Sequence, residues 1–192
     1  MLWEILKAGR TNKSSDLFTR LAARRVSVSK RGYIVLPHDT GAFNATAKGN
    51  NIIWEYNGER IQGNTCSFNV LRDNGTIRLA FDEALEKLEI PNNNALKADL
   101  SDLGGKITYY LSLSNCTNIS GVYSGIAYPT TINLSYTGVS AEEMDQNLIN
   151  LNENINKKGT FTANGMSRTA ASDAAVAGLI SKGWTITGLT KV

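Results

Sequence analysis

A short apolar-x-apolar triplet recurs five times between Leu88 and Leu189, and no other feature constrains the fold of this chain so tightly. The copies are Leu88-Glu89-Ile90, Leu111-Ser112-Leu113, Ile132-Asn133-Leu134, Phe161-Thr162-Ala163 and Trp184-Thr185-Ile186. Their first residues are spaced 23, 21, 29 and 23 apart, and three positions beyond each triplet stand Asn93, Cys116, Thr137, Met166 and Leu189. Self-similarity at such a period predicts stacked strand-plus-crossing units, none able to bury its apolar face alone. The expected fold is α/β, a short leucine-rich-repeat-like solenoid with a parallel sheet. Strand side chains alternate between faces, so the middle residue of each triplet points away from the core. Glu89, Ser112, Asn133, Thr162 and Thr185 are therefore expected in one outward file, and they are the candidate binding residues.

The first copy carries the fullest motif. Leu85-Glu-Lys-Leu88-Glu-Ile90-Pro-Asn-Asn93 matches the L-x-x-L-x-L-x-x-N core of a leucine-rich repeat, in which the asparagine bonds backbone groups at the turn out of the strand. The first two crossings, with Leu96, Leu100 and Leu103 before Gly104-Gly105 and then Ile119, Val122 and Ile126, read as irregular or single-turn. The third reads as a helix over about 141–155, because Ser140-Ala-Glu-Glu143 is a capping box and Met144, Leu148, Leu151 and Ile155 follow at helical spacing. The fourth reads as a helix from about Ala170 to Lys182, closed by Gly183. Trp184 is expected to lie across the last open face.

Upstream the pattern changes. Residues 32–82 show β-like runs at 32–36, 41–46, 52–56, 65–70 and 76–81, with Asn57-Gly58 and Asn74-Gly75 as tight-turn signals. A small five-stranded antiparallel domain over 32–82 is expected to cap the repeats of 83–192. Residues 1–31 hold eight Lys/Arg against Glu4 and Asp16, so this arm carries +6 while the remainder sums to −3. The arm is expected to be helical and amphipathic: Leu2, Ile5 and Leu6 fit one short turn, and Leu17, Phe18, Leu21 and Ala22 form a stripe after Ser15 as N-cap. The first piece is too short to be stable alone, so its apolar face, with Trp3, must dock on this chain or on another molecule.

Composition removes several classes of function. His38 is the single histidine, and Cys66 and Cys116 lie 50 residues apart, so no zinc ligand set can be assembled and no metal is expected. Cys116 reads as a reduced core thiol. Asp82, Asp99 and Asp102 do not match a calcium loop. No phosphate-binding glycine loop, nucleophile elbow or paired carboxylates stand out, so neither enzyme activity nor a cofactor is expected. No run approaches the ~18 apolar residues of a membrane span. The start of the chain lacks the apolar core of a secretory signal, so synthesis and folding in a cytoplasm are expected. Tyr109, Tyr110, Tyr123, Tyr128 and Tyr136 cluster in and near the repeats, where tyrosine suits protein or glycan surfaces.

The C-terminal block, Ser140-Ala-Glu-Glu-Met-Asp-Gln-Asn-Leu-Ile-Asn-Leu, Gly159-Thr-Phe-Thr-Ala-Asn-Gly and Ala171-Ser-Asp-Ala-Ala-Val-Ala-Gly-Leu-Ile-Ser-Lys-Gly-Trp-Thr-Ile-Thr, resembles the degenerate leucine-rich-repeat domains of bacteriophage tail or fibre-type virion proteins, notably in phages of gut Bacteroidota. Ile52-Ile-Trp-Glu-Tyr-Asn-Gly and Asn74-Gly-Thr-Ile-Arg-Leu resemble the PKD-like (PKD/Ig-like) β domain that precedes such repeats, although Tyr56-Asn57-Gly58 replaces the usual Gly-Asp-Gly. The resemblance spans about 140 residues. It implies a virion structural protein assembled in the host cytoplasm, belonging to the tail, a baseplate or a fibre. Residues 1–31 would then anchor it through Trp3, Arg20, Arg24, Arg25, Lys30 and Arg31. The implied partners are other virion proteins, further copies of the chain and a host-surface glycan or protein; nucleic acid is not among them. The same module occurs in bacterial cell-surface proteins, so a surface recognition or adhesion module is the alternative.

Overall fold

A computed structural model describes residues 31–125 and 127–192. The expected arm residues Trp3, Arg20, Arg24, Arg25 and Lys30 lie outside the described residues, as do the two apolar stripes before them. Arg31 opens the first strand.

Alternation decides the antiparallel part. Strand β1 (Arg31–His38) buries Ile34, Leu36 and His38, β4 (Thr65–Val70) buries Cys66, Phe68 and Val70, and the first half of β5 (Gly75–Glu89) buries Ile77, Leu79 and Phe81. Each fully buried side chain of this size contributes ~1.5–3 kcal/mol relative to exposure. The runs at 41–46 and 52–56, expected as two strands, are one strand, β2 (Gly41–Tyr56). Gly49-Asn50-Asn51 looks like a turn in sequence but forms a bulge, because both halves of β2 pair with the same partner, β5. The pairing slips between Lys48 and Asn50 and again before Ile53, and Asn51 takes φ 51°. The Asn57-Gly58 turn, with φ 48° and 83°, leads into a short strand not foreseen, β3 (Glu59–Gln62).

At the level of that bulge β5 also bends, with Glu83 at φ 65° and the Asn51 amide donating to the Asp82 carboxylate. Two layers follow from the two bends. The later half of β2 and the first half of β5 pair with β3 and β1, while the other halves pair with β4 and with each other. Aromatic contacts close the space between them: Phe43 meets Trp54 at 6.1 Å and His38 at 5.5 Å, and Tyr56 meets Phe68 at 5.9 Å. The boundary expected between Asp82 and Glu83 therefore falls inside β5, and Gly32–Val192 forms one compact unit.

From β5 the sheet continues in parallel through β6 (Ile107–Ser112), β7 (Thr131–Asn133), β8 (Thr160–Arg168) and β9 (Thr185–Lys191). Leu88, Leu111, Ile132 and Phe161 pair in one inward column, as the triplets require. The last triplet does not follow: Phe161 pairs with Ile186, not Trp184. The fold is thus mixed α/β, with nine strands joined in one sheet and few helices among the described residues.

The crossings match their sequence signals. The first contains only a 3₁₀ turn, Leu100–Leu103, capped by Asp99. The third is helix α1 (Ala141–Asn154), with both bonds of the Ser140/Glu143 capping box formed and Met144, Leu148 and Leu151 buried. The fourth begins as a 3₁₀ turn at Ala170–Ser172 and becomes helix α2 (Asp173–Ser181), ending at Gly183 with φ 84°. Trp184 does not lie over an open face. It is buried, donating from Nε1 to Lys157 O at 2.6 Å, and β9 is left as the exposed edge.

Asn93 has the role its motif position requires. Its buried Oδ1 accepts from Ala95 N (3.2 Å), Leu96 N (3.1 Å) and His38 Nε2 (2.9 Å), tying β1 to the turn after β5. Asn93→Ala would leave these donors without that acceptor, and urea denaturation is expected to show a loss of ~2 kcal/mol.

Candidate binding face

Registry across the sheet sets the candidate site. Glu89 pairs with Ser112, Ser112 with Asn133, and Asn133 with Thr162, so four of the five expected residues share one file. The fifth place belongs to Thr187, which pairs with Thr162, their hydroxyls 3.4 Å apart; Thr185 pairs with Thr160 one step down the strand. The slip is two residues, so Thr185 keeps its face and loses its level. Its cause is a bulge in β8: Thr162 and Met166 are four apart where their partners Thr187 and Leu189 are two apart.

The file also begins earlier than the triplets indicate. Thr46 of β2 pairs with Glu89 on one side and with Thr65 of β4 on the other. The complete row is Thr65, Thr46, Glu89, Ser112, Asn133, Thr162 and Thr187. Seven strands at ~4.8 Å separation make it about 29 Å long. A second row, Lys48, Lys87, Tyr110, Thr131, Thr160 and Thr185, runs beside it. The polar alternation of Asn44-Ala-Thr46-Ala-Lys48 and Thr65-Cys-Ser67 was the sequence signal for this extension, but nothing local revealed that these strands join the parallel ladder.

The face is polar and electrically balanced. Lys48 pairs with Glu86 and Lys87 with Glu89, each at 2.7 Å. Lys87 Nζ also lies 4.9 Å from the centre of the Tyr110 ring, whose hydroxyl is 3.4 Å from Glu89 Oε1. Ser112, expected to be exposed, is 2% exposed, its short side chain recessed in the row between Glu89 and Asn133. Asn133 Oδ1 accepts from Ser135 N at 3.1 Å. At the Thr65 end the row borders a cleft of about 280 Å³ lined by Asn44, Ala45, Thr46, Thr65, Cys66, Glu89 and Pro91.

Comparison with known proteins finds no matching family model, curated protein or solved structure.

The tyrosines divide. Tyr123 and Tyr128 are buried, with ring centres 5.0 Å apart and their hydroxyls pushed up in pKa by that burial, whereas Tyr109 and Tyr136 are exposed. Burial likewise raises the Cys66 thiol to about 12 and raises Cys116, so neither supplies a thiolate near neutral pH. Cys116 is the core thiol its position predicts, with Sγ donating to Ile90 O at 3.0 Å. Among the described residues no three His, Cys, Asp or Glu side chains gather closely enough to hold a metal ion. The face offers hydroxyls, an amide, one carboxylate, two lysine ammonium groups and an aromatic ring. No membrane-spanning helix is present among the described residues.

Proposed function

We propose that this chain is a recognition and display protein of a bacteriophage particle, associated with the tail, baseplate or fibre and working by binding rather than catalysis. Strands β5–β9 are a short leucine-rich-repeat-like solenoid in this reading, and the antiparallel strands, in the place of the PKD-like domain, seal its first unit. The observation that carries the reading is the continuous outward row from Thr65 to Thr187, a balanced polar surface far longer than core packing requires. The repeat geometry is supported by a column of left-handed turn residues, Asn92, Asn115, Tyr136, Gly165 and Gly188, with φ between 54° and 81°. They recur at the same 23, 21, 29 and 23 spacing as the triplets. The resemblance to tail and fibre-type proteins supplies the virion, and the basic residues before Gly32 supply the anchor.

Deletion of residues 1–25 tests the anchor, since the contacts of Gly32–Val192 cluster as their own unit. The truncated protein is expected to be soluble and to keep its thermal transition, yet to be absent by mass spectrometry from purified particles. Full incorporation of the truncated chain would sink the anchoring role. If the intact chain is missing from particles and is recovered in the bacterial envelope, the cell-surface recognition module replaces the virion reading.

A further inference from the structure

We infer that the outward row is a binding site for a neutral, unbranched oligosaccharide, with one sugar seated in the cleft at Glu89 and the chain extended across the strands towards Thr187. The inference rests on reading this face as a recognition surface, and it adds the class of ligand. Three observations select that class.

The first is charge. The carboxylate of Glu89 is balanced by Lys87, and Lys48 by Glu86, while the row beyond Glu89 is serine, asparagine and threonine. A polyanion would meet no unpaired cation in the two rows, and a polycation would meet no unpaired carboxylate. A neutral ligand rich in hydroxyls loses nothing on either count and can both donate to and accept from Ser, Thr and Asn groups. The second is the cleft. At about 280 Å³ it lies near the lower end of small-molecule sites and suits a single sugar ring. Glu89 can accept from two adjacent sugar hydroxyls, Asn44 and Thr46 supply further partners, and Pro91 and the Tyr110 ring flank Glu89 with apolar surface. The third is shape. The row is straight in register over about 29 Å, so an extended chain can follow it, whereas a compact ligand would use only the cleft.

The test is isothermal titration of the full chain with maltohexaose, cellohexaose, laminarihexaose and β-1,4-mannohexaose, their disaccharides, and a heparin hexasaccharide as the charged control. At least one neutral hexaose is expected to bind, about tenfold more tightly than its disaccharide. Glu89→Gln should weaken both by about tenfold, and Thr162→Ala with Thr187→Ala should reduce the hexaose to the disaccharide affinity. Unchanged thermal transitions in these variants are required, and Thr108→Ala, off the two rows, should bind as the parent does. No binding by any neutral glycan, equal or tighter binding of heparin, or affinity unaffected by Glu89→Gln overturns the inference. Capture of a protein partner on this face with no glycan binding also overturns it while leaving the recognition reading standing; loss of particle incorporation bears on the virion reading alone.

Discussion

Gly104→Ala is expected to unfold the protein or to cost more than about 4 kcal/mol, while Gly105→Ala beside it should cost only ~1 kcal/mol. The two glycines form one turn, yet they are needed for different reasons. A Cβ on Gly104 would stand 1.6 Å from Ser124 O and 2.6 Å from its carbonyl carbon, so two backbones would have to separate. Nothing flexible is available to yield, because the obstacle is main chain. Gly105 has φ 68° and open space around its Cβ position, so alanine there incurs only left-handed strain. Chemical denaturation of the two variants checks the pair. Similar losses at both positions would show that segments 104–105 and 124–125 do not cross as closely as described.

Asp145→Ala should be the next most damaging change, at ~3 kcal/mol. This carboxylate, 4% exposed on α1, accepts from Thr169 N (3.1 Å), Thr169 Oγ1 (2.5 Å) and Ser172 Oγ (2.5 Å), and thereby fastens α1 to the 3₁₀ turn that starts the last crossing. Arg168 and Lys191 extend the cluster by pairing with Asp173 at 2.6 and 2.5 Å. Burial pushes the Asp145 carboxyl up, but the bonds from Ser172 and Thr169 and the nearby Arg168 charge outweigh it and hold the group below the usual carboxylate value. The sign follows: a depressed native pKa gives stability that is present above the unfolded value of about 3.8 and is lost as pH falls through the native one. The gap between parent and Asp145→Ala should therefore be widest above about pH 4 and narrow below it. Urea titrations at neutral and acidic pH measure it, and a gap that widens in acid would contradict the sign.

The candidate face shows where sequence reasoning ran short. Glu89, Ser112, Asn133 and Thr162 could be aligned because each is the middle residue of an apolar-x-apolar triplet, and parallel pairing preserves that alignment. Trp184-Thr185-Ile186 looks like a fifth copy, but its level depends on how much chain β8 spends between Thr162 and Met166. A clue was nevertheless present at the turn. Asn92, Asn115, Gly165 and Gly188 are residue types that tolerate positive φ, and they repeat in phase with the triplets. Gly188 is locked there, since its Cβ would come within 2.6 Å of Asn164 N in the β8 bulge. Thr46 and Thr65 were invisible as site residues, because pairing across 43 positions, from Thr46 to Glu89, leaves no local mark.

The sequence alone determined what depends on near neighbours: the alternation that separates inward Leu111 from outward Ser112, the capping box that starts α1, the asparagine and glycine turns, and the absence of a zinc ligand set. Only the tertiary structure decided what depends on distant partners. It joined 41–46 to 52–56 as one bent strand, carried β5 across an expected boundary, shifted β9 by two residues and extended four of the five expected outward residues into a row of seven. The physical reason is the same in each case. Local patterns fix which way a side chain faces, whereas register and strand order are fixed by which backbone groups remain to be paired after the core has closed.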